Sequence, residues 1–400
     1  MSTISHLIYL FVLSAHNLGK LMIKIGRALV RVSALSLVST GVFAQSTVTL
    51  YGTMDTYIAS QFSSGTGHRI VEGSGFSPNS FGFTGTEDLG DGFKSGFILE
   101  GQPILNNGTL GQGGKLFGRQ SLIFVSGDFG RVGLGRQQTP ARTFGITYAA
   151  SGWMSGDPFA NLEFAMGSAI SAGMNSDTVG ARLSNSISYS SPTISGFSAS
   201  IIQSLDNGAP SFSTGNARVS MAGLNYAAGP INVNVVGSYI PPIAGSQIKQ
   251  MDYGVGATYN AGFAKFLVAY QLKRGYAVNA AAATTGLPGT LGNDQLLGGG
   301  VQIPLTPYSI VGLSAAKLRV AGTHRGLRQA NIGVPLSSIE DDAMAWSITY
   351  TYLLSKRTQL FAVYSRLAND ALGTASFTSD MRPVPGGKSE ILAVGLRHNF

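Results

Sequence analysis

Side chains on an extended strand point alternately to two faces, so a hydrophobic period of two tightly limits what a chain can fold into. That period runs through most of this sequence. In INVNVVGSY, Ile231, Val233, Val235 and Tyr239 share one parity, and Asn232, Asn234 and Ser238 the other. In AWSITYTYL, Trp346, Ile348, Tyr350 and Tyr352 oppose Ala345, Ser347, Thr349 and Thr351. KFLVAYQL sets Phe266, Val268, Tyr270 and Leu272 against Lys265, Ala269 and Gln271. TVTLYGTMD sets Val48, Leu50 and Met54 against Thr49, Tyr51, Thr53 and Asp55. The alternation continues to the final residue, where Leu392, Val394, Leu396 and His398 lead in parity to Phe400.

The connections between these segments alternate in length. Seven carry turn residues and are short: 87–92, 127–130, 191–196, 228–230, 260–262, 304–307 and 354–357. Eight are longer and polar: near 61–79, 101–116, 138–184, 206–217, 241–250, 275–293, 320–342 and 368–388. Fifteen connections join sixteen strands, with both chain ends on the short-turn side. A soluble sandwich hides its apolar faces inside and has no need of that alternation. A transmembrane barrel turns them toward lipid, with short periplasmic turns and long outer loops. Closure lets it do so, because every backbone N–H and C=O finds a partner.

Composition agrees with the barrel. Charged residues are 12% of the chain, about half the usual share. No uncharged apolar run of about 18 residues follows the N-terminal region, so spanning helices are not expected. Four of the 27 basic residues (Lys20, Lys24, Arg27 and Arg31) and no acids lie in the first 44, which leaves little excess charge elsewhere. Nucleic acid is therefore not an expected partner. Residues 22–44 pair a basic front with an apolar run from Val32 to Phe43 and end on Val42-Phe43-Ala44, the form of a secretory signal. A membrane anchor is the alternative, but that run is too short and small to span comfortably. Residues 1–21 then read as an upstream extension, and 45–400 as one barrel domain.

Five segments are similar to a known family. They are STVTLYGTMDTYI (46–58), FGFTGTEDLGDGFKSGFILE (81–100), FGRQSLIFVSGDFGRVGLGRQQTPAR (117–142), RLSNSISYSSPTISGFSAS (182–200) and AVGLRHNF (393–400). Together they resemble the general diffusion porins of Gram-negative bacteria, in order, over essentially the whole mature chain. The resemblance implies a homotrimer of sixteen-stranded antiparallel barrels in outer-membrane lipid, each passing small hydrophilic solutes and ions. It also implies a third outer loop folded inward to narrow the pore, and a terminal Phe400 read by the outer-membrane assembly machinery.

The connection from Gln138 to Ala181 holds the place of that constricting loop and would contribute Asp157, Glu163 and Asp177. Facing them, the resemblance puts Arg119, Arg136, Arg142 and Arg182 on the wall. Strand parity adds Lys94, Glu100 and Asp55 to the lumen side, while it groups Arg136 with Val132 and Leu134 toward lipid unless the strand bends. Ser80 and Thr84 stand where relatives commonly carry Arg or Lys, so a weak anion preference is expected.

Other chemistry finds little footing. Cysteine is absent, which excludes thiolate metal sites and cysteine nucleophiles. No G-x-S-x-G elbow is present, and His68, His324 and His398 are the only histidines beyond residue 44. GTLGQGGKL (108–116) misses phosphate-loop spacing and has Leu116 in place of the needed hydroxyl. The acids at 340–342 fit a solvated cluster better than a calcium site. The expectation is a channel with no cofactor and no metal. A substrate-specific channel, a barrel adhesin and an outer-membrane enzyme are the alternatives.

Overall fold

The computed structural model describes residues 47–400 except 76, 152–155, 167–180, 206–217, 241–249, 275–292, 321–340 and 379. The expected signal and upstream extension lie outside the described residues. The strands are β1 (Thr47–Ser63), β2 (Gly67–Ser74), β3 (Ser80–Gly90), β4 (Phe93–Gly101), β5 (Gln120–Gly127) and β6 (Gly130–Gln138). Two helices follow, α1 (Pro140–Tyr148) and α2 (Pro158–Met166). Then come β7 (Arg182–Ser190), β8 (Phe197–Ser204), β9 (Ser220–Ala228), β10 (Ile231–Ile240), β11 (Gln250–Asn260) and β12 (Lys265–Arg274). The last are β13 (Asn293–Thr306), β14 (Ser309–Arg319), β15 (Ala343–Leu353), β16 (Thr358–Asn369) and β17 (Lys388–Asn399).

Each strand pairs antiparallel with its neighbours, and β17 returns to β1, so the sheet is closed. β2 and β3 are two parts of one stave: β1 pairs with β2 along its outer half and with β3 along its inner half. The barrel therefore has sixteen staves, as the alternation predicts. The first expected long connection, near 61–79, is a correction. β1 runs on to Ser63 and turns within three residues, helped by Gly65 at φ 79°. The polar residues after it are strand, and the irregularity falls between Ser74 and Ser80. Asp55 holds it there: its backbone O accepts from Gly75 N–H at 2.8 Å, and its N–H donates to Asn79 Oδ1 at 2.6 Å.

Closure reaches the last residue. Thr53 pairs with Asn399, and Gly52 and Phe400 exchange both backbone hydrogen bonds, at 3.1 and 3.0 Å. The Phe400 ring lies over Gly52, where an added Cβ would collide with its Cζ. A side chain at position 52 and this ring cannot share the place.

Exposure assigns the faces. On β15, Trp346, Ile348, Tyr350 and Tyr352 are exposed, while Ala345, Ser347 and Thr349 are buried. On β12, Phe266 and Val268 point out, and Ala269, Gln271 and Lys273 point in. The apolar faces are thus outside and the polar ones inside, the reverse of a soluble sandwich. The interior is not wet throughout, however. Val236, Leu296, Leu318, Ala345, Val363 and Leu367 form a dry patch on the inner wall, covered by Phe144, Tyr148, Phe159, Leu162 and Met166 from the two helices.

Filling the Gly52 site tests the closure. Gly52→Val must move the Phe400 ring, an overpacking that costs about 1–3 kcal/mol. Deleting Phe400 removes ring and backbone pair together. Yields of heat-resistant oligomer should fall in the order wild type, Gly52→Val, Phe400 deletion, with deletion of Ala371 near wild type.

Candidate functional site

Both helices belong to the third outer connection, and both begin by rule. Thr139 precedes Pro140, and its Oγ1 accepts from Arg142 N–H at 3.3 Å. Asp157 precedes Pro158, and its Oδ1 accepts from Ala160 N–H at 2.9 Å. The connection folds inward and docks on the dry patch. Glycines of the wall admit its rings: a Cβ on Gly256 would collide with Tyr148, and one on Gly298 with Phe159. Polar tethers add to this contact. Tyr148 Oη donates to Asn234 Oδ1 at 3.0 Å, Gln302 Nε2 to Ala150 O at 2.8 Å, and Ser365 Oγ to Gly156 O at 2.6 Å.

The end of α2 is fixed by a buried charge. Lys273 Nζ donates to the Met166 carbonyl at 2.6 Å, a cation at the negative end of the helix. Asp252 and Asp294 flank Lys273 in the cross-strand register, and Asp294 Oδ2 lies 4.0 Å from Nζ. All three are almost wholly buried.

Across the lumen, arginines gather at the outer ends of β4, β5 and β7 and on α1. Arg119 Nε meets Glu100 Oε1 at 2.5 Å, and Tyr51 Oη donates to Glu100 Oε2 at 2.9 Å. Arg182 Nη1 donates to Gln112 Oε1 at 3.3 Å, and Gln112 Nε2 to Gln102 Oε1 at 2.8 Å. Burial first, then the like charges of Arg182 and Arg119, push the Arg142 pKa well below its ordinary value, with Glu100 opposing. Among the described residues, three guanidiniums thus share a neighbourhood with the Glu100 carboxylate.

The other expected residues fall elsewhere. Asp157 and Glu163 are a correction: both are wholly buried and belong to the docking of α2. Asp157 also accepts from Ser151 N–H at 3.2 Å and from the Ser151 hydroxyl. Glu163 accepts from Gln271 Nε2. An Asp-Pro pair opening an apolar helix is an N-cap signal, and it could have told Asp157 from a pore acid. Asp177 lies outside the described residues.

Lys94 shares the lumen parity of Glu100 but is exposed at the other end of β4, beside the Gly90–Phe93 turn. Asp55 sits in the barrel seam, where its Oδ2 accepts from Arg397 Nε at 3.0 Å and from Ser77 N–H at 3.2 Å. Arg136 follows a β-bulge at Gly135, the bend its parity required, and donates to Gly118 O at 2.6 Å and to Ser184 Oγ at 2.7 Å. Ser80 and Thr84 are wall residues of β3, and Thr84 Oγ1 donates to Phe97 O at 3.2 Å. Pattern reading missed Tyr51, Gln102, Gln112 and Lys273. Lone polar residues on a lumen parity carry no signal of their partners.

A closed barrel with an apolar outside, a polar inside and a loop docked in its lumen is a transmembrane channel of the β-barrel class. A sequence profile of the Gram-negative porins matches residues 32–372, and the chain belongs to that family. It is 28% identical to outer membrane porin protein 32 of Delftia acidovorans, over 89% of this chain and 95% of that one. It is 31% identical to an outer membrane porin protein of Bordetella pertussis, over 80% of this chain and 82% of that one. Its fold matches an anion-selective porin from Comamonas acidovorans with a TM-score of 0.68 and 26% identity, over 89% of this chain and all of that one. The protein is an outer-membrane channel for diffusion.

Burial of Asp157 sets an expected outcome. Asp157→Ala removes an N-cap worth about 0.5–2 kcal/mol and loosens the docked loop. Single-channel conductance should become noisier and the loop easier to cut with protease. Asp157→Asn should leave the reversal potential in a salt gradient at its wild-type value.

Proposed function

We propose that this porin passes small hydrophilic solutes and ions passively, with a preference for anions, as a homotrimer whose mature chain begins at Gln45. The observation that carries the preference is the gathering of Arg119, Arg142 and Arg182 near the Glu100 carboxylate. Of the acids expected on the loop, Asp157 and Glu163 are buried in the docking contact, and Asp177 lies outside the described residues. Low-dielectric walls focus the remaining positive field on the narrow part of the path, where few counter-ions fit. At 0.15 M salt the Debye length is about 8 Å, so charges on a wide mouth fade before reaching the permeating ion. The selectivity printed for the Comamonas acidovorans structure is consistent with this reading. Family membership supports the trimer, the periplasmic placing of the short turns, and a channel rather than an enzyme. The Val42-Phe43-Ala44 boundary supports the mature start.

Reversal potentials in a KCl gradient test the charge assignment. Wild type should favour chloride, Arg119→Gln should move toward cations, and Lys94→Gln, at the mouth, should barely move. Equal shifts from the two variants would sink the assignment. Glucose flux into proteoliposomes should rise linearly with concentration, as sieving requires, whereas saturation would indicate a substrate-specific channel. The intact mass of outer-membrane material checks the start at Gln45.

A further inference from the structure

A second basic feature lies between the arginine wall and the short-turn rim. Arg131 follows the Gly127–Gly130 turn and faces inward with Gly133 and Gln137. Its guanidinium carbon lies 3.7 Å from the centre of the inward Phe124 ring, a cation–π contact. Arg131 makes no ion pair with any of the described residues. It lines a recess of about 170 Å³ under the start of α1. Among the described residues, no acidic side chain lines that recess.

The rest of the lining is uncharged and mostly polar, with Leu122, Pro140, Ile201 and Ile202 as its apolar members. Gln120, Gln138, Thr143, Ser190 and Ser200 all border the recess. None of their side chains has a hydrogen-bond partner among the described residues. Gly133 keeps the floor open, since a Cβ there would meet Gln137 Oε1 at 2.7 Å and Ser188 Oγ at 3.0 Å. Thr139 and Pro140, at the positive end of the α1 dipole, form part of the roof. A guanidinium edge suits one carboxylate. The surrounding amides and hydroxyls suit the hydroxyl groups of the same molecule. The volume is several times the ~30 Å³ share of one water, enough for a small organic acid.

We propose that this recess is a binding subsite for small hydroxylated carboxylates, reached after the arginine wall on the inward path. It rests on the channel reading but not on the arginine wall, because Arg119, Arg142 and Arg182 take no part in its lining.

Potassium gluconate is the probe, titrated against chloride current through the wild-type oligomer in planar bilayers. Current should fall saturably with gluconate and stay flat with glucose. In Arg131→Gln the half-blocking concentration should rise at least tenfold, and Arg131→Lys should recover part of the loss. The Arg131→Gln reversal potential in plain KCl should still favour chloride, which separates this subsite from the general anion preference. If wild type shows no chloride preference, the functional reading fails by itself in that measurement. Unchanged gluconate block in Arg131→Gln overturns the subsite, as does block lost in Arg119→Gln alone or equal block by glucose. Should Arg131→Gln not assemble, the charge-neutral pair Thr143→Val with Ser200→Ala should weaken block several-fold; wild-type block in that variant also overturns it.

Discussion

Everything else in this molecule depends on the closure of its backbone hydrogen-bond circuit. An open sheet in lipid would leave two edges of unpaired N–H and C=O groups, each costing several kcal/mol. Here β17 pairs with β1 along both strands, and the Gly52–Phe400 exchange carries the ladder to the final residue. Once no edge exists, the strands can turn Ile58, Val268 and Trp346 outward at no cost in lipid. The inward parity is then released from making a core. Polar and charged residues, too costly on a lipid face, can occupy the lumen.

The freed interior is used unevenly. On β10 to β16 it supplies an apolar patch, glycines that admit rings, and Lys273 at the end of α2. There the third outer connection is docked as a small hydrophobic core is built, by burial first and tethers second. On the opposite wall, β4 to β7 carry arginines and amides and no comparable apolar patch. The described part of the loop therefore has an apolar wall to which it adheres. The asymmetry of the channel follows from that difference in side chains, since the backbone is much the same all round.

Faces were legible in the sequence, and heights and partners were not. The parity of AWSITYTYL assigned all eight side chains from Ala345 to Tyr352 to their sides, because lipid tolerates so little error. Parity also put Lys94 and Glu100 on one side, yet they stand six residue steps apart, roughly 20 Å at 3.3 Å a step. Only the height of the docked loop distinguishes constriction from mouth, and that is set by contacts distant in sequence. The first connection was misjudged for a related reason. Its polar residues looked like a loop, but polar residues on a lumen face are equally good strand. Asp157 read as a pore acid because its charge was weighed and its place before Pro158 was not.

That last error changes the electrostatics. An acidic loop facing a basic wall is a nearly neutral eyelet with a strong transverse field, and selectivity there turns on small differences. Burying Asp157 and Glu163 removes one half of that field. Burial also pushes the Asp157 pKa up, against the hydrogen bonds from Ser151 and Ala160 that favour its charged form. Whatever its charge, the carboxylate acts through the loop and its local dipoles, away from the ion path. Arg119, Arg142 and Arg182 are themselves almost wholly buried, and Glu100 is the acid of their neighbourhood among the described residues. Ser80 and Thr84 add no charge to the β3 wall. On the proposed reading, preference for anions owes as much to the burial of Asp157 and Glu163 as to the place of the arginines.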